Sequence, residues 1–235
     1  MVGSSERVEP LAQQIALALQ RSMLNGDVRP GSKLASQRSM VDQYQASRAS
    51  VREAMGLLQG SGLIETRHGG GSFCQNLLAP LFAGTGEEST AAPQALPIQV
   101  LEMREMLEGE AAYYCALRAT DKELSLLSEE YLSMSQRNKG ATTLYQAKSD
   151  LGFHMQVADN CHHLLLISIS QILYSRYFNA IYYVLSQNIK KRGRYPEQIG
   201  AQHQQIYQAI MARDPESARV AACEHIAYTR GLLLS

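Results

Sequence analysis

From Leu11 to Leu24, apolar residues at positions 11, 15, 16, 19, 23 and 24 repeat with the three-to-four spacing of a helix. Asn25-Gly26 and Pro30-Gly31 then break the chain into a turn. A short helix fits Ser36 to Tyr44. Ser47 is placed to cap a second helix from Arg48 to about Gln59, whose packing face would be Val51, Ala54, Met55, Leu57 and Leu58. Gly60 and Gly62 stop it. Leu63-Ile64-Glu65-Thr66 and Ser72-Phe73-Cys74 flank Arg67-His68-Gly69-Gly70-Gly71 as the arms of a hairpin flank its turn. Helix, helix–turn–helix, hairpin is the order of a winged helix-turn-helix, and it fills residues 1–75.

The pattern then changes. Residues 76–96 are rich in small residues, glycine, threonine and proline, and read as a linker. From 97 to 235 there is no strand alternation. Apolar-periodic segments run over about 97–118, 121–138, 142–159, 162–188, 196–213 and 215–233. Thr120 and Glu123 have capping-box spacing, and Asp214-Pro215-Glu216 has the order of a cap, a first-turn proline and a dipole-matched acid. The expected fold is mainly α: an N-terminal winged helix-turn-helix with a small β-hairpin wing, then an all-α bundle of six or seven helices.

Composition adds little to this. The 22 basic side chains balance the 22 acidic ones, so net charge selects no partner. Residues 1–75 carry eight basic and six acidic groups, an excess that matters only if it clusters on one face. The segment HLLLISISQIL is too short and too interrupted to span a membrane. MVGSSERVEP lacks the apolar core of a signal peptide. Four dispersed cysteines, none in a Cys-x-x-Cys pair, fit reduced thiols in a cytoplasmic protein.

Candidate chemistry lies in both halves. Arg48 and Arg52 stand one turn apart on one helix face, with Ser47, Ala49 and Ser50 small enough for close approach. A guanidinium can pair with the O6 and N7 edge of guanine or clamp a phosphate, and Arg38 could reach the same groove. The alternative is a solvated charged face. His68-Gly69-Gly70-Gly71 is not a phosphate loop, because no Lys-Ser/Thr follows and a strand comes next. In the second half, Asp150 and His154 are spaced to chelate one ion, with His203 and His225 on the last two helices and His162 and His163 also available. Three imidazoles and a carboxylate suit Zn²⁺, Ni²⁺ or Mn²⁺. Spacing alone equally allows histidines with purely structural partners.

The stretch LASQRSMVDQYQASRASVREAMGLLQGSGLIETRHGGGSF resembles the winged helix-turn-helix of the GntR family of bacterial transcription regulators. Family members show Leu-Pro-Ser-Glu-Arg, Ser-Arg-x-x-x-Arg-Glu-Ala, Gly-Leu-Ile and Gly-Gly-Gly-Thr-Phe in the same order. This chain departs from them at Ala35 and Gln37. The resemblance implies that Arg38, Arg48 and Arg52 contact DNA with Ser47 and Ser50 beside them, and that His68-Gly69 forms a wing tip in the minor groove. REMLEGEAAYYCALRAT, SDLGFHMQVADN and AQHQQIYQAIMARDPESARVAACEHI resemble the effector-binding FCD domain of the FadR branch. That resemblance implies a divalent metal, Zn²⁺ foremost and otherwise Ni²⁺ or Mn²⁺, held by Asp150, His154, His203 and His225. It also implies an arginine, Arg104, facing a carboxylate effector; a surface pair with Glu108 is the other reading of that residue.

The expected protein is a homodimeric repressor that grips a short palindromic operator on double-stranded DNA and answers to a small carboxylate. The second half resembles regulators responsive to lactate, pyruvate or glycolate, which implies a 2-hydroxy or 2-keto acid. The rival is a metal-dependent enzyme acting on such an acid, since three histidines and an aspartate can activate water.

Overall fold

The computed structural model describes residues 10–76, 96–137, 143–174, 182, 186 and 196–234. The chain forms two compact units, Met1–Pro80 and Leu81–Ser235. The expected linker lies almost wholly outside the described residues, and the basic run Lys190-Lys191-Arg192-Gly193-Arg194, whose sequence reads as a solvated interhelical loop, lies wholly outside them.

In the first unit, α1 (Leu11–Leu24), α2 (Gln37–Tyr44) and α3 (Arg48–Gly60) precede a hairpin of β1 (Ile64–Arg67) and β2 (Gly71–Cys74). Ser36 and Ser47 cap α2 and α3 by accepting from the amides of Ser39 at 3.1 Å and Ser50 at 3.0 Å. Between these helices Gln45 adopts a left-handed φ of 48°, which reverses the chain within three residues. The core joins Ile15, Leu19 and Met23 of α1 to Met40, Val51, Ala54, Met55 and Leu58, and closes on Ile64 and Cys74 of the hairpin. Three expected core positions differ. Leu11, Leu24 and Leu57 are 42%, 55% and 45% exposed, because the buried stripe on each helix is narrower than the apolar spacing and Ala12 takes the inward place beside Leu11.

The strands are antiparallel, in a register that pairs Ile64 with Cys74 and Arg67 with Gly71. Lys33 forms a bridge to Phe73, adding a third backbone segment to the base of the hairpin.

In the second unit six helices occur among the described residues. They are α4 (Leu96–Arg118), α5 (Asp121–Arg137), α6 (Thr143–Asp159), α7 (164–174), α8 (Glu197–Met211) and α9 (Pro215–Leu234). Thr120 and Glu123 do form a capping box: the Thr120 amide donates to Glu123 Oε2 at 2.8 Å, and the Glu123 amide to Thr120 Oγ1 at 3.3 Å. Asp214 caps α9 through the Ser217 amide at 3.1 Å. The helix expected from 162 begins at 164, because His162 is left-handed and His163 Nδ1 accepts from the Leu166 amide at 3.3 Å as a cap. Helix α9 packs along α4 and against α8. Helices α4 and α9 are tightly packed at Gly109, where a Cβ would sit 2.5 Å from Cys223 Sγ. Ala112, Cys115 and Ala116 continue this small-residue seam into a core that includes Leu127, Phe153, Ile167, Ile206 and Ala222. All four cysteines are free.

Candidate functional site

Two sets of predicted residues occupy different units. In the first unit Arg48 and Arg52 are exposed on one side of α3, opposite its buried stripe, and Arg38 is exposed in the first turn of α2. None of the three has an ion-pair partner among the described residues. Ser47 Oγ lies 2.9 Å from Ser50 Oγ as well as taking the Ser50 amide, so both serines order the first turn that carries Arg48. The hairpin turns through His68-Gly69-Gly70, closed by the Gly70 amide donating to Arg67 O at 3.0 Å. Gly69 and Gly71 have φ of 70° and 98°, which a side chain would resist. His68 is exposed at the tip.

Spacing did not point to Lys33. A Cβ on Gly71 would lie 2.7 Å from Lys33 Cε, so the side chain of this exposed lysine lies over the turn end of the wing. The sequence signal was a lone lysine just after the Pro30-Gly31 turn.

In the second unit α6, α8 and α9 bring Asp150, His154, His203 and His225 together in the interior, each between 1 and 4% exposed. One donor atom from each lies within 4.8 Å of the others. His154 Nε2 is 3.0 Å from His203 Nε2, which in turn is 3.0 Å from Asp150 Oδ1. The His154 and His225 rings stack at 5.0 Å and 16°, and Phe153 sets its edge against His154 and His203. His225 Nδ1 lies 3.3 Å from Gln202 Oε1. His162 and His163 stand apart from this cluster. The former pairs with Glu123 at 2.9 Å, and the latter caps α7.

Arg104 is not a surface residue. It is 1% exposed on α4 and pairs with Glu108 through Nε at 2.6 Å. Tyr174 of α7, which the sequence reading missed, donates to the same Glu108 Oε1 at 2.5 Å. The other oxygen, Oε2, lies 2.8 Å from His154 Nδ1, approached obliquely rather than along the N–H bond. Arg104 Nη2 and His203 Nδ1 are buried without a hydrogen-bond partner among the described residues.

Burial opposes ionisation of both acids, yet each is held well below the usual carboxylate range. Arg104, His154 and Tyr174 do this for Glu108; His203, His154 and His225 do it for Asp150. Burial pushes His203 down, and pushes His225 well down with the neighbouring imidazoles acting in the same direction. Those two rings are thereby kept neutral, beside two ionised carboxylates and one guanidinium. Neutral imidazoles are in the state that ligates a cation.

Residues 11–74 match the family "Bacterial regulatory proteins, gntR family", and residues 99–228, more than half of the chain, match the FCD domain family. The chain belongs to the GntR family and carries an FCD domain.

Its relatives are transcription regulators rather than enzymes. The Glc operon transcriptional activator of Escherichia coli K12 is 28% identical over 225 residues, covering 92% of this chain and 86% of that protein. The Uxu operon transcriptional regulator of the same strain is 24% identical over 230 residues, covering 94% and 86%. A protein whose name ties it to an L-lactate dehydrogenase operon, also from that strain, is 26% identical over 233 residues, covering 93% and 84%. Since one of these is an activator, their names do not select the expected repressor. The solved structure of Streptococcus agalactiae GntR matches 94% of this chain and 99% of its own with a TM-score of 0.53 at 22% identity, a likeness of fold. No described helix of this GntR-family chain is long and apolar enough to cross a membrane.

Proposed function

We propose that this FCD-domain regulator binds a short palindromic operator as a homodimer and answers to a small carboxylate, a 2-hydroxy or 2-keto acid, at a divalent metal site. Arg48 and Arg52 would read or grip DNA from α3, Arg38 from α2, and His68-Gly69 from the wing, with Ser47 and Ser50 ordering the turn between them. Two-fold protein symmetry accounts for the palindrome.

The observation that carries the metal reading is the convergence of three imidazoles and a carboxylate in a buried spot, with Nε2 of His154 facing Nε2 of His203 at 3.0 Å. The donor set fits a divalent transition ion, Zn²⁺ first and Ni²⁺ or Mn²⁺ after it. Asp150, His154, His203 and His225 would hold the ion, which when bound supplies a Lewis-acidic position for ligand oxygens. The free edge of Arg104 supports the carboxylate. Arg104 Nη2, buried without a partner, is the donor on hand for that anion. The name of the relative tied to an L-lactate dehydrogenase operon agrees, L-lactate being a 2-hydroxy acid.

Metal analysis of protein purified without chelator or histidine tag tests this reading. It predicts about one transition ion per chain, lost in Asp150→Ala and His203→Ala. Metal-free protein that also fails to take up added Zn²⁺, Ni²⁺ or Mn²⁺ would overturn it.

A further inference from the structure

We infer that Glu108 is a positioning residue that sets both halves of the site at once, fixing His154 as a metal donor and turning Arg104 toward the ligand. This rests on the metal-and-carboxylate reading above and deepens it. Glu108 lies outside the four-residue donor cluster, yet its two oxygens have separate tasks. Oε1 takes two donors, Arg104 Nε at 2.6 Å and Tyr174 Oη at 2.5 Å. Oε2 stands 2.8 Å from His154 Nδ1 and has no other partner.

Each contact has a consequence. A carboxylate beside Nδ1 keeps the His154 proton there, so the lone pair sits on Nε2, the atom 3.0 Å from His203 Nε2. Pairing Arg104 through Nε rather than through its two terminal nitrogens leaves Nη2 without a partner in the interior. A guanidinium gripped at one edge keeps its other donors for a second anion, which a fork-to-fork ion pair would have used up. Tyr174 fixes the carboxylate from α7, and its hydroxyl gives a donor that Phe would lack. Helix α4 supplies Arg104 and Glu108 one turn apart, so their mutual geometry is set by backbone that α9 already holds. The sequence disguises this role, because Arg-x-x-x-Glu looks the same on a solvated face.

The experiment compares wild type with Glu108→Gln. The amide keeps the size but has one acceptor oxygen, so it cannot serve Arg104 and His154 together. Zn²⁺ affinity is measured by chelator competition, and the site geometry by the visible absorption of the Co²⁺-loaded protein. A 10- to 100-fold loss of Zn²⁺ affinity is expected, with altered Co²⁺ bands. Unchanged affinity and unchanged Co²⁺ bands overturn the inference while leaving the metal reading intact. A wild type that takes up no Zn²⁺ or Co²⁺ overturns both. Ring-nitrogen NMR on metal-free wild type does not depend on the variant folding. It is expected to place the His154 proton on Nδ1, and a proton on Nε2 overturns the inference.

Discussion

His154 and His203 meet nitrogen to nitrogen, their Nε2 atoms 3.0 Å apart in an interior where each ring is at most 4% exposed. Two imidazoles can share at most one proton along that line. The contact is better suited to donors around an ion than to a core contact chosen for stability alone. Chelation is therefore expected to lower the melting temperature, and Zn²⁺ to restore it. With free ion at one hundred times its Kd, the gain is about 2.7 kcal/mol. His203→Ala should abolish the Zn²⁺-dependent part of the shift. An equal Zn²⁺ response in that variant would argue for binding elsewhere.

Arg48 and Arg52 project from α3 with no acidic partner among the described residues. Arg48→Ala or Arg52→Ala is expected to cost about 1–3 kcal/mol of specific affinity where the guanidinium pairs with guanine, and to relax preference at that base. A phosphate contact instead weakens all sequences alike and lowers the salt slope by about one unit. Titrations at several salt concentrations separate these outcomes, and unchanged affinity with an unchanged slope would remove the residue from the interface.

Gly109 on α4 lies against Cys223 of α9, with no room for a methyl group beside Cys223 Sγ. Gly109→Ala gains about 1 kcal/mol in helix propensity, but overpacking a tight seam costs about 1–3 kcal/mol. A net loss in thermal stability is expected. Adding Cys223→Ala should restore it by removing the sulfur. If the double variant melts no higher than the single one, the seam is not the cause.

Acid should weaken the metal-free protein. Burial, with neighbouring imidazoles, places the native pKa of His203 and His225 below the ordinary 6.5. Between 6.5 and those lower values the unfolded chain binds more protons than the native one, so stability falls as pH drops through that window. Denaturant midpoints near pH 7.5 and 5.5, measured with chelator present, check the sign. His225→Gln should flatten the slope; a midpoint that rises toward pH 5.5 in the wild type would contradict the assignment.

What was legible in the sequence was local. Ser47, Thr120 with Glu123, and Asp214 were readable as caps because a cap and the amides it serves lie within three residues. The hairpin was readable from its glycines, whose positive φ values no other residue adopts as easily. Asp150 and His154 were readable as a pair from helical spacing. His203 and His225 come from other helices, so their place beside that pair rested on family resemblance rather than on any local rule. Exposure of Leu57 and burial of Arg104 were not readable, since one is apolar and faces out while the other is charged and faces in. Both depend on what packs opposite, which spacing along one helix does not encode. The triangle of Glu108, His154 and Tyr174 spans α4, α6 and α7 and had no sequence signal.

The most direct test of the account is a thermal-shift titration with 2-hydroxy and 2-keto acids, run with Zn²⁺ and with chelator. The account predicts that at least one such acid raises the melting temperature, that the rise needs the metal, and that Arg104→Ala removes it. A panel that produces no rise, or a rise that survives both chelation and Arg104→Ala, would contradict it.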